Sequence, residues 1–172
     1  MRGVRFRVVS LDATCDRTAF DSGSEPLDQY FQRQVTQDMR RRVTACFVAL
    51  AGETRIAGYY TLASASLLLS DLPSHLGKKL PRYPSVPAVR MGRLAVDRRF
   101  GGQGLGGALL ADALDRTIRS EIAVYALLVD AKDESAASFY RHHGFIPLPG
   151  VAFTLFLPLS TAREGMFVLT PS

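Results

Sequence analysis

Apolar positions along the chain recur with two periods that alternate from segment to segment. Residues 4–11 alternate apolar and polar side chains, the period of a half-buried strand. Across residues 24–42 the spacing widens to three and four: Leu27, Tyr30, Phe31, Gln34 and Val35 predict a helix. Ser24 can cap it, Pro26 suits an early helical position, and Arg40-Arg41-Arg42 closes it near the negative end of the helix dipole. Residues 44–51 and 55–69 flank the turn Gly52-Glu53-Thr54 and predict a hairpin, whose second arm is long enough to bend near Ser64-Ala65-Ser66. Residues 71–87 carry Pro73, Pro81 and Pro84 together with Lys78, Lys79 and Arg82. They predict a loop with a short helix, the most substrate-like segment of the chain.

Further along, residues 88–96 predict a strand. Residues 104–119 predict a helix with Leu105, Ala108, Leu109, Ala113 and Leu114 on one apolar face. An apolar strand is expected over 122–129, then a short helix over 135–143 that Gly144 ends as a left-handed cap. Residues 145–146, 151–159 and 166–169 predict closing strands. The order β-α-β-β-(loop)-β-α-β-α-β-β belongs to an α/β fold, a mixed sheet with helices on its faces. The 172 residues, without repeat, low-complexity segment or linker, fit one domain spanning 1–172.

Composition narrows the picture. A hydrophobic share of 47% against 22% charged residues supports a packed core and excludes a disordered chain. No apolar run approaches the roughly 20 residues of a membrane span, and Met1-Arg2-Gly3-Val4-Arg5 does not open a signal peptide; no membrane association and a cytoplasmic location are expected. Cys15 and Cys46 stand apart, with no paired-cysteine spacing and no histidine at ligand distance, and His75, His142 and His143 form no zinc pattern, so no metal is expected. The net charge is +5, mostly from arginine, which suits a polyanionic partner or a phosphate-bearing cofactor.

The main chemical signal is Asp97-Arg98-Arg99-Phe100-Gly101-Gly102-Gln103-Gly104-Leu105-Gly106-Gly107, which lies between a strand and a helix. Glycines let the main chain approach a ligand closely, and the helix start adds roughly half a positive charge, so unshielded amides would face a phosphate. Gly102-x-Gly104-x-x-Gly107 also matches the dinucleotide fingerprint, with Asp130 placed for a ribose contact. In that fold the glycines follow the strand at once. Here residues 97–101 intervene, and the motif arrives after half the chain. Glycines that only loosen a loop are the third reading.

With the second segment, Val129-Asp130-Ala131-Lys132-Asp133-Glu134-Ser135-Ala136-Ala137-Ser138-Phe139-Tyr140-Arg141-His142-His143-Gly144-Phe145, the glycine turn resembles the GNAT family of acetyltransferases. That resemblance implies a GNAT fold, with a central sheet of six to seven strands and helices on both faces. It implies acetyl-CoA as co-substrate, held by Leu94, Ala95, Val96, Arg99, Gly102, Gln103, Gly104, Leu105, Gly106, Gly107 and Asp133. The pantetheine arm would lie between two splayed strands. Gly101 stands where the family carries Gln or Arg, and Arg98 or Arg99 is expected to supply the missing contact. Tyr140 matches the family's general acid, which protonates the departing thiolate. Without the family motif it would read as a core aromatic beside Phe139, itself assigned to the core. Asp133 is expected to contact cofactor or cap a helix, and His142 and His143 to lie at the surface.

The likeness narrows further. Phe20-Asp21-Ser22-Gly23-Ser24-Glu25-Pro26-Leu27-Asp28-Gln29-Tyr30-Phe31, Gln37-Asp38 and Gly92-Arg93-Leu94-Ala95-Val96-Asp97 resemble the GNAT toxins of bacterial toxin–antitoxin pairs. This implies acetylation of the α-amino group of aminoacyl-tRNA and a block of translation. It also implies a ribbon-helix-helix antitoxin as partner and leaves a homodimer open. Arg90, Arg93, Lys78 and Lys79 are the expected tRNA contacts, with Arg40, Arg41, Arg42 and Arg82 as further candidates. A GNAT enzyme acting on a small amine or a protein N-terminus is the alternative.

Overall fold

The computed structural model of the chain describes residues 5–162. The described strands hydrogen-bond in the order β1-β2-β3-β4-β6-β8-β7, with β5 paired to β3, so the sheet is mixed as expected but carries eight strands in place of six to seven, because the run at 88–96 divides into β4 and β5. The expected strands at residue 4 and at 166–169 fall outside the described residues. Two compact units make up the fold. One comprises residues up to 63 and 92–113, and the other residues 64–91 and from 114 onward. No described helix is long and apolar enough to cross a membrane.

In the first unit β1 (Phe6–Ser10) pairs antiparallel with β2 (Ala45–Ala51), and β2 with β3 (Arg55–Leu68) around the predicted turn, where Gly52 takes φ +78°. The predicted first helix is present but divided. Regular turns α1 (Glu25–Gln29) and α2 (Val35–Arg40) flank a wider π turn at Tyr30–Gln34, in which the Val35 amide reaches back to the Tyr30 carbonyl. The extra residue in that turn accompanies the burial of Tyr30, Phe31 and Val35 together. Ser24 occupies the cap position, yet its side chain makes no capping bond. Instead the Asp28 carboxylate accepts the Ser22 amide at 3.0 Å and the Ser22 hydroxyl at 2.6 Å.

The unit's core is aromatic. Phe31 stacks on Tyr59 with centroids 4.2 Å apart, and Phe20 meets both rings edge-on. Cys46 is buried beside them, and that burial pushes its thiol up to about 12, which suits an inert, reduced side chain.

The second unit builds a separate core from Leu67, Leu72, Val86, Ala88, Ala126, Leu128, Leu148 and Phe156. Here β4 (Ser85–Met91) runs parallel to β6 (Ala126–Asp130), β6 antiparallel to β8 (Thr154–Pro158), and the short β7 (Ile146–Pro147) lies on β8. With neighbours on both sides, β6 is apolar almost throughout, as a central strand must be. It starts at Ala126, not at residue 122 as predicted, because Ile122 is 79% exposed and its amide is taken by the Ser120 hydroxyl. The short helix α3 (Ser74–Gly77) forms within the predicted loop.

Residues 88–96 were expected as one strand and form two. β4 ends at Met91, and β5 (Leu94–Val96) pairs antiparallel with β3, with Tyr59 opposite Ala95. β4 lies between β3 and β6, whereas β5 is off that path and pairs with β3, and the chain breaks register between them at Gly92 and Arg93, where the Arg93 carbonyl accepts the Thr61 amide at 3.1 Å.

Gly58 of β3 faces the start of helix α4 (Leu105–Ile118). A Cβ there would stand 2.9 Å from both the Ala95 carbonyl oxygen and a Leu109 methyl, so the glycine permits close packing of strand and helix. Gly58→Ala is therefore expected to destabilise the protein by about 1–3 kcal/mol, the usual cost of overpacking, measured as a lower urea midpoint with an unchanged slope.

Candidate active site

The first segment is set by Asp97, whose side chain is fully buried. One carboxylate oxygen accepts the Arg99 amide at 2.9 Å and Arg99 Nε at 3.0 Å. The other accepts Arg99 Nη2 at 2.9 Å and the Asp21 amide at 3.1 Å. Burial by itself would raise this carboxyl, but the hydrogen bonds from Arg99 and Asp21 outweigh it and hold the group below the usual carboxylate range. Its own amide donates to the Ala57 carbonyl at 2.8 Å. The turn Arg98–Phe100 thus leaves β5 in one fixed direction.

The glycines then do what their residue type allows. Gly102 and Gly104 adopt φ +73° and +78°, and a Cβ on either would meet nothing within 4 Å. Gly101 to Gly104 are exposed, with Gln103 among them. Gly106 and Gly107 sit in the first turn of α4, where amides have no acceptor within the helix. An exposed glycine turn leading into a helix start is the kind of backbone that can accept a phosphate. Arg98 and Arg99, the expected substitutes for the side chain absent at Gly101, are held by the carboxylates of Asp21 and Asp97. The backbone is the part of this segment left to face an anion.

The second segment begins at Asp130, the end of β6. Weighed in the sequence as a ribose contact, it binds Arg90 at 2.6 Å instead. Asp133 is the N-cap of α5 (Glu134–His142), accepting the Ala136 amide at 2.9 Å. This is one of its two expected roles. At the other end Gly144, at φ +91°, closes the helix: its amide returns to the Arg141 carbonyl and the Phe145 amide to the Tyr140 carbonyl.

Tyr140 lies on the buried face of α5 at 4% exposure, while Phe139, assigned to the core from sequence, is only half-buried and packs on the His143 ring. Of two adjacent aromatics on a helix, only one can face inward. Tyr30, Tyr59 and Tyr60 are equally buried, and each donates its hydroxyl: to Asp38, to the Leu27 carbonyl and to Asp112. The Tyr140 hydroxyl donates to no described group. Since no buried side-chain oxygen lacks a partner among the described residues, it reaches solvent at the end of a buried ring. Burial and then the Asp130 carboxylate push its pKa well above that of a free phenol. The group stays protonated across the neutral range and so has a proton to give.

Among the expected tRNA contacts, Lys78 and Lys79 are exposed and make no ion pair with a described residue. Arg90 is tied to Asp130. Arg93 lies over the Tyr30 ring, its guanidinium carbon 3.4 Å from the centroid. The sequence reading missed Asp97 as an organising residue; its place just before Arg98 at the end of an apolar strand was the available signal. Among the described residues, no group of three His, Cys, Asp or Glu is arranged to hold a metal.

Residues 43–147 match the family model described as an acetyltransferase (GNAT) domain. The tRNA-acetylating toxin of Mycobacterium tuberculosis is 35% identical over 150 residues, 86% of this chain and 89% of that protein. A solved structure of AtaT complexed with acetyl-methionyl-tRNAfMet aligns with TM-score 0.86 at 31% identity, covering 95% of this chain and 99% of that one. A Tyr-to-Phe mutant of AtaT, bound to the C-terminus of the antitoxin AtaR and acetyl-CoA, aligns with TM-score 0.78 at 27% identity, covering 96% and 99%. The exposed glycine turn, and the Tyr140 hydroxyl with no partner among the described residues, thus sit on a chain that matches these proteins over most of its length. The chain belongs to the GNAT family of acetyltransferases, among which it resembles the tRNA-acetylating toxins.

Proposed function

We propose that this protein transfers the acetyl group of acetyl-CoA to the α-amino group of aminoacyl-tRNA, and so blocks translation. The likeness to a tRNA-acetylating toxin over most of both chains carries the reading. The amides of Gly102, Gln103, Gly104, Leu105, Gly106 and Gly107 hold the diphosphate, and Leu94, Ala95 and Val96 align the pantetheine arm. Arg99 and Asp133 contribute by holding the turn and the helix start. As the amine attacks the thioester carbonyl and the carbon–sulfur bond breaks, the Tyr140 hydroxyl gives its proton to the departing thiolate.

No general base is assigned, and the substrate class makes one dispensable. An α-amino group, with pKa about 7.7–8.0, is roughly a quarter neutral near pH 7.4, whereas a lysine amine at about 10.4 is roughly a thousandth neutral. A site without a base therefore favours α-amines. Lys78, Lys79 and Arg93 meet the RNA backbone, and Arg90 does so less while it pairs with Asp130. A ribbon-helix-helix antitoxin neutralises the enzyme, the enzyme pairs as a homodimer, and the cytoplasm, where charged tRNA is found, is the site of action.

Mass spectrometry of charged tRNA after incubation with enzyme and acetyl-CoA is expected to show aminoacyl groups heavier by one acetyl. Label appearing only in small amines or protein N-termini would support the alternative substrate classes and reject this one.

Tyr140→Phe should bind acetyl-CoA as the wild type does, yet slow single-turnover transfer by about 10²–10⁴-fold, the range of general acid catalysis. Because the phenol's pKa is raised, the wild-type rate should show no loss of the acid form below pH of about 10, the value for a free tyrosine. A descending limb centred near neutrality would assign the acid elsewhere.

Gly104→Ala and Gly52→Ala share the same φ of +78° and the same open surroundings. Each should lose about 1–2 kcal/mol of stability from left-handed strain. Only Gly104→Ala should also weaken acetyl-CoA, by roughly tenfold or more as amide contacts to a charged group are lost, measured by calorimetry. Equal affinities in the two variants would remove the glycine turn from the cofactor site.

A further inference from the structure

We infer that Arg93 anchors a phosphodiester of the RNA substrate through a guanidinium held in place by Tyr30 and Asp38; this rests on the reading of charged tRNA as substrate. The Arg93 guanidinium lies over the Tyr30 ring, its central carbon 3.4 Å from the centroid, well inside the limit of about 6 Å for a cation over an aromatic face. The Tyr30 hydroxyl in turn donates to the Asp38 carboxylate at 2.7 Å. A phenol that donates to a carboxylate has a more electron-rich ring, which strengthens its hold on the cation. Behind the side chain, the Arg93 carbonyl is fixed by the Thr61 amide at 3.1 Å. Backbone and guanidinium are therefore both immobilised in the first unit before any ligand arrives.

Neutralisation is what this arginine lacks. Arg90, Arg98, Arg99, Arg119 and Arg141 each pair with a carboxylate. Arg93 is half-buried and pairs with none among the described residues. A ring face offsets part of the cost of withdrawing a charge from water, and it leaves the N–H donors along the guanidinium edge free. A planar, preset fork of donors matches a phosphate, which accepts two of them at once. Arg93 also directly precedes β5, the strand assigned to the pantetheine arm. The phosphate it takes therefore lies near the acceptor end of the RNA, beside the amine to be acetylated. In this arrangement Arg93 touches the substrate, and Tyr30 and Asp38 are positioning residues.

The test is binding of a short uncharged single-stranded RNA ending in CCA, followed by fluorescence anisotropy over a range of salt concentrations. Arg93→Gln is expected to raise Kd roughly ten- to hundredfold, the worth of a charge-assisted bond. It should also flatten the plot of log Kd against log salt by about 0.7, one phosphate contact on a single strand. Arg93→Lys should keep the wild-type slope with weaker affinity, because the charge remains and the fork is gone. Tyr30→Leu, which removes the platform and keeps the charge, should weaken binding severalfold at nearly the wild-type slope.

An unchanged Kd in Arg93→Gln, or a raised Kd at unchanged slope, overturns the anchor, since a merely structural stack does not alter counterion release. Wild-type affinity in Tyr30→Leu overturns the positioning role. RNA binding is read apart from acetyl transfer. A wild-type enzyme that binds the RNA through Arg93 but leaves charged tRNA unmodified would sink the proposed function and keep the anchor, whereas efficient acetylation with an indifferent Arg93 does the reverse.

Discussion

A carboxylate cannot be stripped of water and left without donors, and the turn that leads to the glycines is built on that constraint. Asp97 is fully buried, and it is satisfied by amides and a guanidinium that come from its own turn and from Asp21. Meeting that demand fixes the path of the chain from β5 through Arg98–Phe100 to the glycines and into α4. The second carboxylate of the pair, Asp21, then takes Arg98. Two arginines that looked available for an anion are thereby committed to the scaffold. The proposed diphosphate site of backbone amides would depend on such rigidity, because amides carry no side-chain freedom with which to adjust.

Helix α5 follows the opposite rule. The donors and carbonyls of α5 are closed at both ends, by Asp133 at the start and by Gly144 and Phe145 at the finish. Against this background the Tyr140 hydroxyl bonds no described residue, while the other buried tyrosines, Tyr30, Tyr59 and Tyr60, donate theirs to Asp38, Leu27 and Asp112. A hydroxyl that stabilised the fold would be poorly placed to give up a proton. Burial keeps the phenol protonated, and its freedom from partners keeps the proton available.

Several elements could be read from the chain because they rest on local rules. The β2–β3 hairpin follows from two apolar runs about a glycine turn, α4 from its apolar face, and the stop of α5 from Gly144. Other readings failed where packing overrode local pattern. One helix was expected across residues 24–42, but a π turn at Tyr30–Gln34 serves the burial of two adjacent aromatics. One strand was expected across 88–96, but the ladder breaks at Gly92 and Arg93, with β4 parallel to β6 before the break and β5 antiparallel to β3 after it. Phe139 and Tyr140 are equally apolar to a periodicity count, and only the rotation of α5 on its sheet decided that Tyr140 goes inside.

The sequence by itself determined the α/β class, the glycine turn, the tyrosine of α5 and the resemblance to GNAT toxins, because each is written in residue type and short-range spacing. Only the tertiary structure decided which charges remain free. Asp21 with Arg98, Asp130 with Arg90 and Tyr30 with Arg93 are partners separated by 40 to 77 residues in the chain, and Coulomb and hydrogen-bond terms act over a few ångströms of space, whatever the distance along the sequence.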